Sequence, residues 1–185
     1  MVTQVEEVTL MSTPFTRCLG LAGLLSLLAL AHPAFAQQAL PGAADADVTT
    51  EQFRDWEVTC PSEGEGICTM GQVVNEPDSN QPLMQVVMAY PPQLDGPAMT
   101  FLLPLGVHLA SGLQLQVGSE EPVQFPYQTC VQQGCRADLP VRPSLLQALR
   151  SGSTATLSLF GPRGDRIDLD ISLMGFTDAS SRISP

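Results

Sequence analysis

The chain has 185 residues, a formal net charge of −11 and no lysine; its eight basic residues, all arginine, stand against 19 acidic ones. This balance excludes a nucleic-acid-binding function, which needs a basic surface, and an anionic membrane surface would repel the protein. A strongly negative charge favours solubility, which explains the composition without invoking a specific partner.

The N-terminal segment, residues 1–36, is predicted to be a signal peptide. An uncharged apolar run, Leu19–Ala31, follows Arg17 and precedes the small-x-small motif Ala34–Ala36, which is the layout of a cleavable secretion signal. Met11 is a candidate start that would give this signal a more regular beginning. An uncleaved membrane anchor is the alternative, but about 13 apolar residues are short for a bilayer. We therefore expect an exported protein with no transmembrane anchor after cleavage.

The 149 residues that remain after cleavage (185 − 36) fit one domain. Residues 37–52 are small, acidic and without periodicity, which predicts a flexible leader. We expect a β-sandwich domain over residues 53–180 and a short tail over residues 181–185.

Short apolar segments separated by turn residues predict β-strands through most of the domain. A nearly continuous apolar run, Leu83–Tyr90, is typical of a strand covered on both faces. In Arg166–Leu173, alternate apolar residues beginning with Ile167 are predicted to face the core. The other predicted strands lie in or near Trp56–Cys60, Ile67–Val74, Met99–Leu103, Leu113–Val117, Val123–Tyr127 and Thr154–Phe160.

One helix is predicted late in the chain. Pro143 and Ser144 favour a helix start, Leu145, Leu146 and Leu149 give an apolar face, and Gly152 ends it. Many short strands and one short helix indicate an all-β antiparallel sandwich.

Four cysteines follow the predicted signal peptide: Cys60, Cys68, Cys130 and Cys135. They allow three pairings; the local one, Cys60 with Cys68 and Cys130 with Cys135, closes two small loops, and the crossed pairings remain alternatives. The C-x7-C and C-x4-C spacings fit neither the usual zinc motifs nor the C-x-x-C of thiol oxidoreductases. Disulfides that pin the fold in an oxidising compartment such as the periplasm are the favoured interpretation.

No catalytic motif is found in the sequence. His108 is the one histidine after the predicted signal, and it lies between apolar residues without a spacing typical of a catalytic triad. Met84, Met88 and His108 are the soft ligands from which a copper(I) carrier site would be built, although methionine more often fills a core. We therefore expect no catalytic residue, no metal and no cofactor.

Several segments in order resemble the invasion-associated locus B family of exported bacterial proteins, and the resemblance covers roughly residues 53–179. It implies an immunoglobulin-like β-sandwich that is exported to the periplasm, with association with the outer membrane or secretion as alternatives. The family name refers to host-cell invasion. The resemblance implies no catalytic or ligand-binding residues. The segments are Trp56-Glu57-Val58-Thr59-Cys60 with Cys68, Leu103-Pro104-Leu105-Gly106-Val107-His108-Leu109, Gly112-Leu113-Gln114-Leu115-Gln116-Val117, Pro126-Tyr127-Gln128-Thr129-Cys130, Gly134-Cys135-Arg136-Ala137 and Ile171-Ser172-Leu173-Met174-Gly175-Phe176.

The sequence thus favours a non-enzymatic interaction protein of the cell envelope, with a small-ligand or metal carrier as the alternative. A sandwich offers loops and strand edges for binding. The segment Pro122–Pro126 and the loop Asn75–Pro82 are the first candidates for contact with a protein partner in the envelope or the host. The sequence names neither that partner nor the oligomeric state.

Overall fold

The computed structural model describes residues 48–62, 66–76 and 80–185, which form two antiparallel β-sheets and two α-helices. The predicted signal peptide (residues 1–36), the candidate start Met11 and residues 37–47 of the predicted leader lie outside the described residues.

The larger sheet has seven strands in the order β1-β2-β3-β4-β5-β9-β8, and every neighbouring pair is antiparallel. Five strands therefore follow one another as a meander, and the hairpin of β8 and β9 adds to the edge formed by β5. The strands are β1 (Val48–Phe53), β2 (Trp56–Pro61), β3 (Thr69–Asn75), β4 (Pro82–Ala89), β5 (Ala98–Leu103), β8 (Thr129–Val131) and β9 (Gly134–Pro140).

The smaller sheet has four strands in the order β11-β10-β6-β7. The short β7 lies at an edge, which is the position that its flanking prolines, Pro122 and Pro126, favour because proline cannot donate a hydrogen bond to a neighbouring strand. The strands are β6 (Leu113–Val117), β7 (Val123–Phe125), β10 (Thr154–Phe160) and β11 (Arg166–Ser172). A 3₁₀ turn, Leu109–Ser111, precedes β6.

Alternate residues of both sheets form one apolar core. Trp56, Val58 and Cys60 are buried on one face of β2, as their spacing predicts. In β11 the prediction is wrong at one end: Ile167 is 37% exposed, because it lies next to the β10–β11 turn at the end of the sheet, whereas Ile171 is fully buried. The predicted disulfide-pinned antiparallel β-sandwich is confirmed.

The predicted helix is present as α1, Pro143–Ser151. Proline is at its first position, Leu145 and Leu149 are buried, and the backbone N–H of Gly152 bonds the carbonyl of Ala148 at its end.

The prediction of a single helix is wrong, because a second helix, α2 (Phe176–Arg182), closes the chain. Its buried residues, with Ile183 just beyond it, fall at i, i+3, i+4 and i+7, which is the spacing of one helical face. Two of the four are small, so the apolar periodicity is weak in the sequence. The predicted tail therefore belongs to the packed domain, at least as far as Ile183. The four residues are Phe176, Ala179, Ser180 and Ile183.

Helix α2 packs on β1, β2 and α1. The ring of Phe176 meets that of Trp56 edge to face, with centroids 5.2 Å apart and planes at 83°. Gly175 precedes the helix with φ +89°, and a Cβ there would overlap the carbonyl oxygen of Phe53. Only glycine fits where the chain passes this closely behind the first strand.

The expectation of a flexible leader as far as residue 52 is wrong for its last five residues. Residues 48–52 belong to β1, which pairs with β2 over its full length from Val48 opposite Pro61 to Phe53 opposite Trp56. All but Phe53 are exposed, so β1 is an edge strand held mainly by backbone hydrogen bonds. That explains why no alternating apolar pattern indicated a strand there.

Two disulfides cross-link the larger sheet, in the local pairing. Cys60, at the end of β2, is bonded to Cys68, just before β3. Cys130 in β8 is bonded to Cys135 in β9, directly opposite it across the ladder.

Candidate binding surface

The outer face of the seven-stranded sheet carries apolar side chains where a solvent-facing sheet would normally be polar. In β4 the inward residues Met84 and Met88 are buried, while on the outer face Gln85 is exposed and Val87 half-buried. The expectation that Leu83–Tyr90 is covered on both faces is therefore wrong for the outer face. No second layer of described residues covers the apolar side chains on this outer face, so they are available to a partner.

Strand register places exposed apolar residues in one row across this face. Val73 lies opposite Gln85, Gln85 opposite Leu102, Leu102 opposite Arg136, and Arg136 opposite Thr129. Val73 is 51% exposed and Leu102 42% exposed. The residues of β5 that face the core, Met99, Phe101 and Leu103, are buried, so Leu102 on the opposite face is not needed for packing the core.

A groove of about 440 Å³ crosses the ends of β4, β5, β9 and β8 and includes Leu102, Arg136 and Thr129 of this row. We call it the apolar groove. Its volume falls in the range of small ligand-binding clefts. Val131, 56% exposed, lies on its β8 side. The residues that define it here are Pro82, Leu83, Leu102, Pro104, Val131 and Arg136.

The β8–β9 hairpin forms one side of the apolar groove, and two local features hold it in place. Gly134 has φ +145°, and a Cβ there would overlap the carbonyl oxygen of Leu103, so glycine allows β9 to approach β5 closely. Strand β8 has only three residues and pairs with β9 alone among the described strands. The Cys130–Cys135 disulfide compensates for this short ladder by fixing β8 covalently to β9.

Arg136 is the one charged residue among those that line the apolar groove. Its Nε donates to both oxygens of Asp138, at 2.9 and 3.1 Å, and Thr100 Oγ1 donates to the same carboxylate at 2.7 Å. The terminal guanidinium nitrogens make no hydrogen bond within the part of the chain that the structure describes, and the Arg136 side chain is 53% exposed. Asp138 thus holds the arginine by one nitrogen and leaves two free to bind an acceptor.

A second depression on the same face, of about 250 Å³, is polar and lies over β1, β2 and β3. Gln72 is one of its lining residues, and both ends of its amide are engaged: Nε2 donates to the carbonyls of Asp55 and Ser172, and Oε1 accepts from the backbone N–H of Ser172. These hydrogen bonds join the β1–β2 turn to the end of β11.

The structure separates the residues of the alternative carrier site. Met84 and Met88 are buried in the core, with exposed fractions of 4% and 0%. His108 is exposed, and its Nδ1 lies 2.8 Å from Ser111 Oγ on the turn before β6. None of the three lines the apolar groove or the polar depression. The hypothesis of a shared metal or ligand site at these residues is therefore not supported.

Of the two segments first expected to contact a partner, one lies away from the apolar groove and the other reaches it at its last residue. Pro122–Pro126 contains the edge strand β7, of which Phe125 is buried. The Asn75–Pro82 loop is described only at its ends, since residues 77–79 lie outside the described residues, but its last residue, Pro82, lines the apolar groove.

The paired carboxylates of β11 are arranged for stability. Ser158 is buried, and its hydroxyl donates to Asp168 at 2.6 Å, while Arg166 Nε bonds the same oxygen at 2.8 Å. These hydrogen bonds, from Ser158 first and then Arg166, lower the pKa of Asp168. A general acid needs a raised pKa, so Asp168 is unsuited to that role.

Comparison with known proteins decides the family. The family described as "Invasion associated locus B (IalB) protein" matches residues 56–184, which is more than half of the chain. The chain belongs to this family. The predicted resemblance is thereby confirmed, and IalB membership makes it an invasion-associated protein of unknown mechanism.

Relatives of this IalB-family chain occur in Brucella. Invasion protein B homologues of Brucella abortus strain 2308 and of Brucella abortus biovar 1 strain 9-941 are each 31% identical to it over 172 residues, covering 90% of this chain and 95% of each relative.

The fold also matches a solved structure, the crystal structure of invasion associated protein B from Bartonella henselae. The TM-score is 0.66 at 21% identity, over 73% of this chain and 95% of that one. At this identity the likeness concerns the fold alone.

Within the described ranges, no helix is long and apolar enough to span a membrane. The same residues contain no cluster of three or more histidine, cysteine or acidic side chains that could hold a metal ion.

Proposed function

We propose that this IalB-family protein is an exported, non-enzymatic interaction protein of the cell envelope that binds a protein partner through the apolar groove. The observation that carries the proposal is the groove itself: exposed Leu102 and Val131 flank a cavity on a sheet face that no other described element covers. Exposed apolar side chains around a concave surface are typical of interaction sites.

Three observations support export to the periplasm. Residues 1–36 have the composition of a signal peptide. The chain contains two disulfides, which persist in oxidising compartments. It belongs to the IalB family.

The described residues favour binding over catalysis. The apolar groove contains a single charged residue, Arg136, and no nucleophile beside a base. His108 is exposed and bonded to Ser111 away from the groove, and the pKa of Asp168 is lowered rather than raised. A groove of this kind provides affinity and orientation but no proton transfer.

The groove's apolar residues can supply part of the affinity. Full burial of an exposed leucine or valine contributes about 1.5–3 kcal/mol, and because Leu102 and Val131 are 42% and 56% exposed, together they offer about 1.5–3 kcal/mol before the cost of association. The other contacts in the groove and at its rim therefore supply the remainder.

The names of the Brucella relatives refer to invasion. For this chain we propose a partner in the bacterial envelope, because the observations above support export and nothing in the groove selects a host molecule.

Cell fractionation and affinity capture test the proposed function. The tagged protein should be recovered from the periplasm beginning at Gln37, and it should capture a reproducible partner that a Leu102→Glu variant loses. Leu109→Glu is the matched control, because Leu109 is similarly exposed, at 52%, but lies beside the smaller sheet. Recovery in the cytoplasm with the first 36 residues intact, or equal capture by the Leu102 and wild-type proteins, contradicts the proposal.

A further inference from the structure

We infer that the apolar groove binds the C-terminal segment of a partner protein: about four extended residues with apolar side chains, whose terminal carboxylate contacts Arg136. This inference rests on the proposed function and names the chemistry of the partner for the same site.

The length of the groove sets the length of the ligand. The groove crosses four adjacent strands, β4, β5, β9 and β8. Three spacings of about 4.8 Å make roughly 14 Å. An extended chain advances about 3.3 Å per residue, so about four residues span this distance.

The lining of the groove sets the side-chain chemistry of the ligand. Three residues contribute apolar surface to the groove: Leu83 in β4, Pro104 directly after β5, and Val131 in β8. Leu102, which also lines the groove, adds an exposed leucine. Gly134, opposite Val131 in the ladder, also lines the groove and adds no side chain to it. Valine- or leucine-sized side chains fit such a surface, whereas charged ones would lose their hydration.

Arg136 sets the charge of the ligand. The protein as a whole carries −11 and therefore repels an anion over most of its surface. At the groove, two guanidinium nitrogens remain without a partner among the described residues, because Asp138 accepts from Nε alone. A carboxylate is the acceptor that a guanidinium binds most strongly, in a charge-assisted and often bidentate pair.

A chain end suits this groove better than an internal segment. A C-terminal segment supplies its carboxylate directly from the main chain, and its chain has to leave the short groove on one side only. An internal segment must leave on both sides and needs an acidic side chain among apolar ones.

Fluorescence anisotropy with defined peptides tests the inference on the chain that lacks residues 1–36, with its disulfides intact. The probes are a fluorescein-labelled tetrapeptide of leucine and valine with a free C-terminal carboxylate, and the same peptide with an amidated C-terminus. We expect the free carboxylate to bind about tenfold more tightly, the effect of a good charge-assisted contact. Arg136→Gln should bring the two peptides to equal, weak affinity.

The apolar contacts are tested with the same probe. Leu102→Glu should weaken binding at least tenfold, and Leu109→Glu should leave it within twofold. Emission from Trp56, buried in the core, verifies that each variant is folded.

Equal affinity of the two peptides for the wild-type protein overturns the inference, and so does equal weakening by the Leu102 and Leu109 variants. Absence of binding at millimolar peptide also overturns it. If a cellular partner is nevertheless captured in a manner that depends on Leu102, the proposed function stands and only the chemistry assigned to the ligand is wrong.

Discussion

Replacement of Phe176 by alanine should destabilise the protein by about 4 kcal/mol, because the C-terminal helix is part of the core. Phe176 is fully buried at the start of α2 and packs edge to face on Trp56. Truncation of a buried phenylalanine costs about 3–5 kcal/mol, which includes the cavity that it leaves. A value of about 4 kcal/mol, and not the lower end of this range, applies because the edge-to-face pair with Trp56 is lost and the other buried residues of α2 lose their anchor.

Urea unfolding measures this loss directly. The chain contains one tryptophan, Trp56, which is buried against Phe176, so its emission reports the state of this part of the core. With a slope of about 2 kcal/mol per molar urea for a domain of this size, the midpoint should fall by about 2 M under conditions that keep the disulfides oxidised.

Met174→Ala is the control for this measurement. Met174 lies two residues before Phe176 and is 44% exposed, so its truncation should change stability by no more than about 0.5 kcal/mol. A loss below about 1 kcal/mol for Phe176→Ala would refute the packing of α2 on the sandwich. A loss of the same size for both variants would show that the segment tolerates no substitution, whichever side chain is buried.

Three further predictions follow from the described contacts. Mass spectrometry of an unreduced digest should link Cys60 to Cys68; a peptide linking Cys60 to Cys130 contradicts the local pairing. Tyr127→Phe should raise the free energy of unfolding by about 1 kcal/mol, because the buried phenol oxygen has no hydrogen-bond partner among the described residues; a loss of that size would show that the hydroxyl has one. Asp168 has a lowered pKa, so its interactions stabilise the folded state above the ordinary carboxyl pKa of 3.8 and are lost as pH falls through the lower folded value. Asp168→Asn should therefore reduce stability at pH 7, and the difference from wild type in urea titrations should shrink below pH 3.8; a difference that is independent of pH refutes this.

The strands and the first helix could be predicted because each carries its own local pattern. The alternation of β2 and the proline start and glycine end of α1 depend on neighbouring residues only. Helix α2 and strand β1 lack such a pattern. The buried face of α2 includes the small residues Ala179 and Ser180, and β1 is exposed along nearly all of its length. Helix α2 is determined by its packing on Trp56, and strand β1 by its backbone pairing with β2.

The apolar groove could not be predicted in the same way, because strand pairing brings its residues together from distant parts of the chain. Leu83, Leu102 and Val131 belong to β4, β5 and β8, and only the sheet order places them side by side. A signal was nevertheless present. The nearly continuous apolar run Leu83–Tyr90 predicted a strand covered on both faces. The outer face has no such cover among the described residues, and this is where we propose that a partner binds.

Photocrosslinking in living cells tests most directly whether the apolar groove is the interaction surface. A photoreactive residue placed at Leu102 or Val131 should give the same crosslinked protein from the envelope, and one placed at Leu109 should not. Identification of that protein would also show whether its C-terminus is apolar. No crosslink at either groove position, or the same product from Leu109, would contradict the proposed binding surface.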